Sequence, residues 1–266
     1  MHIFIVLDKP AKLLRVNMLF VYFILLNIFN FCFCQRHLTI DTSVTEGKKV
    51  YVVGDVHGCL TELLNLLKKE NLLKSDGLTM KQKSILFMAG DTVNRGPRSC
   101  EVLDFIERNE RVFAVRGNHE DNVLESGSED KYPWLKDCPQ AKDIIEKFPY
   151  TYRVNQYNAV VVHAGLMPDT EIMDQEVFAM TRMRNIERLA GGILRPIEET
   201  NDGNNWIAYW KGPQHIYFGH TARRGLQTYD LATGLDTRCY KGGRLTAVKM
   251  PSSEDHFVSI KCKKYN

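Results

Sequence analysis

Five times along this chain a short apolar run of strand-forming residues stops beside a glycine and delivers an aspartate, an asparagine or a histidine. The first run, Val50–Val53, ends in Gly54-Asp55-Val56-His57-Gly58. A buried strand is rigid and the loop after it is open, so side chains just past its end are presented to a pocket. Asp55 and His57, two apart in an extended turn, can reach one cation, although Asp-x-His also arises by chance. The constraint comes from repetition. Ser84–Ala89 leads into Gly90-Asp91-Thr92-Val93-Asn94-Arg95-Gly96-Pro97, and Val112–Val115 into Arg116-Gly117-Asn118-His119-Glu120. Asn158–Val162 leads into His163-Ala164-Gly165, and His215–Phe218 into Gly219-His220-Thr221.

Between the first three runs lie helical patterns. Leu60, Leu63, Leu64 and Leu67 predict an amphipathic helix over Thr61–Glu70. Ser99 is placed to cap a second helix, with Val102, Leu103, Phe105 and Ile106 inward. Strand, helix, strand, helix, strand is an α/β pattern, and its sites lie beyond the carboxyl ends of the strands. Downstream, a helix is expected over Ala141–Phe148 among the breakers Pro133, Pro139 and Pro149. Late strands are expected at Leu226–Tyr229, Leu245–Lys249 and Phe257–Lys261, with Gly242-Gly243 as a hairpin signal. Met173, Met180 and Met183 read as core filler.

The 266 residues, 44% hydrophobic and 25% charged, suit one globular domain plus a tail. A formal net charge of +3 points to no partner by itself, and no dedicated nucleic-acid-binding module is seen. Residues 1–34 stand apart: Lys9, Lys12 and Arg15 precede an apolar run from Val16 to Cys34. That is the pattern of a secretory signal peptide or a single signal anchor, which would associate with a membrane through residues 16–34. The expected organisation is a leader over 1–34, a polar linker over 35–47 and one domain over 48–262. The expected location is the secretory pathway, lumenal or extracellular, with the cytoplasm as the alternative if the leader does not function. Cys59, Cys100, Cys138, Cys239 and Cys262 follow the leader without a C-x-x-C pair. This argues against a zinc–cysteine site or a dense disulfide scaffold, and the odd number leaves at least one thiol free.

Collected, the strand-end groups are Asp55, His57, Asp91, Asn118, His119, His163 and His220. Carboxylate, imidazole and amide oxygen without thiolate suit Mn, Fe, Zn or Mg. Two cations held close together need a bridging carboxylate, and they clamp an in-line displacement while activating a bridging water. Any one of these histidines is as readily a core imidazole bonded to backbone. Five clusters in series, each after an apolar strand, are hard to read that way.

In order, the five motifs resemble the metallophosphoesterase signature of the phosphoprotein phosphatase superfamily. Asn94-Arg95-Gly96-Pro97, His163-Ala164-Gly165, the stretch from Phe218 to Leu226 and that from Leu235 to Leu245 are more similar to its ApaH-like branch. The resemblance spans roughly residues 48 to 250 and implies an α/β fold with a central two-sheet β-sandwich flanked by helices. It implies that Asp55 and His57 hold one divalent ion, that Asp91 bridges, and that Asn118, His163 and His220 hold the second. It casts His119 as the acid to the leaving oxygen, a role open to an imidazole beside a metal but not on it. Arg95 and Arg116 would grip phosphoryl oxygens, for which a guanidinium fork is well shaped. Arg182, Arg184 and Arg223 are candidates for further phosphates, or else solvated arginines.

One position departs from the phosphatases, which usually carry Asp where this chain has Asn94. Asn cannot stabilise an imidazolium with a full charge, so His119 is expected either to hold its second proton less well or to find another carboxylate, such as Glu120 or Asp121. The implied activity is hydrolysis of phosphoanhydride or phosphoester bonds, on polyphosphate or dinucleotide polyphosphate. The alternatives are a Ser/Thr phosphoprotein phosphatase, whose partner would be a phosphoprotein, and a non-catalytic pseudophosphatase serving as a binding module. Every expected ligand is present, which weighs against the last.

Overall fold

The computed structural model describes residues 36–253 and 256–265. The leader expected over 1–34 lies outside the described residues, and among those described no helix is long and apolar enough to cross a membrane.

From Val50 to Val53 every side chain is buried, and this decides the architecture. Val50 and Val52 pack with Ile85, Phe87, Tyr152, Val154, Val161 and Tyr217. Tyr51 and Val53 pack with Leu63, Leu66, Leu67, Met88 and Leu103. Successive strand residues point to opposite faces, so a strand that is apolar throughout needs cover on both. Lys49–Val53 is accordingly the middle of a five-stranded sheet, ordered 257–261, 244–249, 49–53, 84–88, 112–114. It runs parallel to 84–88, which is parallel to 112–114, and antiparallel to 244–249. Helices Leu60–Lys69, Ser99–Arg108 and Ala141–Glu146 cover one face of this sheet.

The other face packs on a six-stranded sheet, ordered 37–40, 151–154, 159–162, 215–218, 232–234, 227–229. Strands 159–162, 215–218 and 232–234 are parallel neighbours. Their outer side chains Val160, Val162, Ile216 and Phe218 share a third core with Met180, Met183 and Trp206. A small antiparallel sheet of 194–197, 185–188 and 204–205 completes the molecule. This is the two-sheet sandwich flanked by helices that the sequence implied.

Several local readings change. Residues 37–47, expected as a linker, carry the strand His37–Ile40, paired in parallel with Thr151–Val154, and a helical turn at Thr42–Thr45. Only Ile40 of that edge strand is buried, so its composition reads as polar. Ser99 is the first helical residue rather than the cap, and its hydroxyl accepts the Asn94 N–H at 2.9 Å. Met180 and Met183 are core, but Met173 is 58% exposed. Gly242-Gly243 closes a turn onto Arg238 and then feeds Arg244–Lys249, whose hairpin partner, Phe257–Lys261, comes later. A disulfide joins Cys100 to Cys138, while Cys59, Cys239 and Cys262 are buried thiols.

Candidate metal centre

Six strands from the two large sheets finish at one edge of the sandwich. Lys49–Val53 brings Asp55 and His57, Ser84–Met88 brings Asp91 and Asn94, and Val112–Ala114 brings Asn118 and His119. Ala159–Val162, His215–Phe218 and Ala232–Gly234 bring His163, His220 and Asp236. Asp55, His57, Asp91, Asn94, His163, His220 and Asp236 are all buried.

Holding these groups requires uncommon backbone. His57, Asp91, Asn94, Arg95 and His220 have φ of 49°, 48°, 67°, 72° and 64°, in the left-handed region that L residues avoid at a cost of about 1 kcal/mol or more each. Glu120, wholly buried, fixes much of this path. Its carboxylate accepts the N–H groups of Asp91, Thr92, Val93 and Gly117, plus the Thr92 hydroxyl. Two glycines let backbone approach the carboxylates. A Cβ on Gly219 would lie 2.0 Å from Asp55 Oδ1, and one on Gly117 would lie 2.4 Å from Asp91 Oδ1. The Asp55 carboxylate is further set by the His220 N–H, and that of Asp91 by the His119 N–H at 3.0 Å.

Three imidazoles each commit one nitrogen to a backbone carbonyl. His57 Nδ1 lies 3.2 Å from Val93 O, His163 Nδ1 2.7 Å from Ala89 O, and His220 Nε2 2.9 Å from Arg182 O. A carbonyl only accepts, so those nitrogens carry hydrogen, and the other nitrogen of each neutral ring presents a lone pair inward. There the lone pairs meet oxygens. His57 Nε2 lies 3.7 Å from Asp91 Oδ2 and 4.0 Å from Asp55 Oδ2. His163 Nε2 lies 3.3 Å from Asp91 Oδ1 and 3.0 Å from Asn118 Oδ1. Two groups of ligand atoms result, each within 4.8 Å mutually: His57, Asp91 and His119, and Asp91, His163 and His220. Asp91 belongs to both.

Acceptors facing acceptors in a buried site need positive charge between them. Burial would raise Asp91, but His163, His119 and His57 hold it well below the usual carboxylate range. Burial would lower His163, but Asp91 raises it overall. Burial, with Asp236 and Asp91 close by, pushes Asp55 well up. Burial depresses His57 to about 4 and His220 well below the ordinary imidazole value. These imidazoles and crowded carboxylates are the donor set that divalent cations relieve, and so the residues present fit such ions.

His119 is differently placed. Asn94 Oδ1 accepts the Trp134 indole N–H at 2.8 Å, which turns its amide nitrogen toward His119 Nδ1 at 3.2 Å. An amide nitrogen only donates, so Nδ1 accepts and the ring proton sits on Nε2, 3.9 Å from Asp91 Oδ2. Neither carboxylate expected to stand in for the missing Asp does so: Glu120 is spent on backbone, and Asp121 faces Arg116 and Tyr150.

The metal-side cavity, about 530 Å³, is rimmed by Arg95, Arg184, Arg223 and Lys241 along with Glu198 and Glu199. Arg116 does not reach it. Its guanidinium donates to the carbonyls of Ile145 and Glu146 and lies over the Tyr150 ring at 5.1 Å, tying down the end of Ala141–Glu146. Arg182 is likewise engaged by Asn122 at 2.8 Å. Of the five arginines expected to meet phosphate, Arg95, Arg184 and Arg223 line the cavity, Arg184 paired with Glu198 at 3.1 Å, and Arg116 and Arg182 are not among its lining residues. Asp236, Tyr240 and Trp134 are additions: Asp236 borders Asp55, and the Tyr240 ring lies edge-on to His57 at 4.8 Å.

Residues 48–230 match the model of calcineurin-like phosphoesterases. A bis(5'-nucleosyl)-tetraphosphatase PrpE (asymmetrical) of Halalkalibacterium halodurans is 28% identical, covering 79% of this chain and 92% of its own. A symmetrical bis(5'-nucleosyl)-tetraphosphatase of Nitrosococcus oceani is 24% identical, covering 82% and 98%. A crystal structure provisionally named a diadenosine tetraphosphatase superposes with a TM-score of 0.75 at 32% identity, covering 86% of this chain and 99% of its own.

Proposed function

This chain belongs to the calcineurin-like phosphoesterase family and is a metal-dependent phosphohydrolase, and from that premise we propose that it cleaves phosphoanhydride bonds in dinucleoside polyphosphates or similar chains of phosphates, using two divalent cations. The observation that carries the reading is Asp91, whose two carboxylate oxygens face two separate histidine clusters. Asp55 and His57 would hold one ion, Asn118, His163 and His220 the other, and Asp91 both. Bound ions of Mn, Zn, Fe or Mg would supply Lewis-acid polarisation of a phosphoryl oxygen and a nucleophilic water at neutral pH.

The chain's own residues do the rest. Arg95, Arg184 and Arg223 orient the phosphates and offset their charge. His119 presents Nε2 to the cavity, and as the doubly protonated imidazolium it passes the Nε2 proton to the departing phosphate oxygen and is left as the neutral ring. Several arginines suit a chain of phosphates better than one phosphomonoester. The disulfide between Cys100 and Cys138 supports the proposal that residues 1–34 direct the protein to an oxidising compartment.

The test is to assay residues 36–266, loaded with Mn²⁺ or Zn²⁺, against diadenosine tetraphosphate, inorganic polyphosphate, capped RNA and a phosphopeptide. Turnover of the phosphoanhydrides is expected. Preference for the phosphopeptide would move the reading to a protein phosphatase, and no turnover with both ions bound would leave a binding module.

A further inference from the structure

We propose that the aromatic cavity beside the metal centre is a nucleoside subsite, which takes the base of a nucleoside polyphosphate whose scissile phosphate lies at the cations. The proposal deepens the function proposed above and rests on it.

This second cavity, about 640 Å³, shares Arg95, Asn118, His119 and Tyr240 with the metal-side cavity, so one ligand can extend from one into the other. Tyr132, Trp134 and Tyr265 supply the rest of its aromatic lining. Unlike Trp206 and Tyr217, which are fully buried in the core, all four of these aromatic residues remain partly exposed. Two of their polar ends are already committed. The Trp134 N–H is spent on Asn94 and the Tyr265 hydroxyl on Glu62 at 2.8 Å, so those residues have ring surface left to offer a ligand. Tyr132 and Trp134 come from a short segment whose following residue, Cys138, is tied by its disulfide to the helix at Cys100. The wall is therefore anchored at one end.

A base stacks on such surfaces with little regard to which base it is. An inorganic chain of phosphates gains nothing from ring faces. Lys131 also lines this cavity, its ammonium 5.3 Å from the centre of the Tyr132 ring.

The test compares Tyr132→Ala and Tyr132→Phe with wild type on diadenosine tetraphosphate and on inorganic tripolyphosphate. The hydrogen bonds of Tyr132 are made by its backbone, with Ser128 and Leu135, so truncating its ring removes none of those that set the metal centre. For Tyr132→Ala, KM for the dinucleotide is expected to rise about tenfold while both constants for tripolyphosphate stay within about twofold. Tyr132→Phe, which keeps the ring, should match wild type. In parallel, ATP should quench tryptophan emission in wild type and much less in Trp134→Phe, and tripolyphosphate should quench neither. Equal losses on both substrates, or none on either, would overturn the subsite and leave the hydrolase reading standing. If wild type cleaves only the phosphopeptide, the substrate reading fails; ATP quenching that depends on Trp134 would then still sustain base binding, and its absence would overturn that too.

Discussion

Asn94 decides which nitrogen of His119 holds the proton, because the Trp134 indole holds the Asn94 amide in one orientation. A second proton on His119 Nδ1 would face an N–H rather than a carboxylate. In Asn94→Asp a carboxylate replaces that N–H, so the ring proton is expected to move to Nδ1, read from the nitrogen-15 shifts of the imidazole; a proton still on Nε2 would contradict this reading of the hydrogen bonds. His119→Ala should keep the metal content of wild type, measured by elemental analysis, and lose about 10²–10⁴ in turnover. Asp91→Ala should lose metal. Asp121, in the same helix, gives a stability test: burial outweighs Arg116 and pushes its carboxyl up to about 6. Its folded pKa thus exceeds the unfolded value of about 3.9, so below both the group is neutral in each state and nothing is lost. Between about pH 4 and pH 6 the unfolded chain ionises first, and stability falls. Wild type measured against Asp121→Asn should accordingly lose up to about 3 kcal/mol of unfolding free energy from pH 4 to pH 7, read by denaturant melts.

At the scale of elements, the strand His37–Ile40 closes the edge of the six-stranded sheet with register from His37–Thr151 to Ile40–Val154. A chain begun at residue 41 should expose that edge and melt several degrees lower than one begun at residue 36; equal melting temperatures would show the pairing to be idle. What could be read from sequence follows the burial of each element. Strands 84–88 and 159–162 are buried at every position and announce themselves as apolar runs. Thr151–Val154, with Arg153 exposed, and the polar strands of the small sheet carry no such run and stayed invisible. The site divides likewise. Asp55, His57, Asp91, Asn118, His163 and His220 are legible because each directly follows a strand. Arg116 sits in the right motif, but its side chain is drawn to carbonyls about 30 residues on, as the bonds to Ile145 and Glu146 record. Trp134 reaches Asn94 from a short 3-10 helix, Pro133–Asp137, 40 residues away and leaves no local trace.

For the whole molecule, two sheets that are each covered on their outer faces bring six strand ends to one edge, and the chemistry depends on that convergence. The shared Asp91 is its focus, because separate sheets supply the histidines on its two sides: His57 from one, His163 and His220 from the other. The most direct measurement is electron paramagnetic resonance of the metal-stripped chain titrated with Mn²⁺, together with the bound stoichiometry. A carboxylate shared between two clusters predicts two bound ions and the spectrum of a magnetically coupled pair, abolished in Asp91→Ala. A single bound ion with the spectrum of isolated Mn²⁺, unchanged by that substitution, would contradict it.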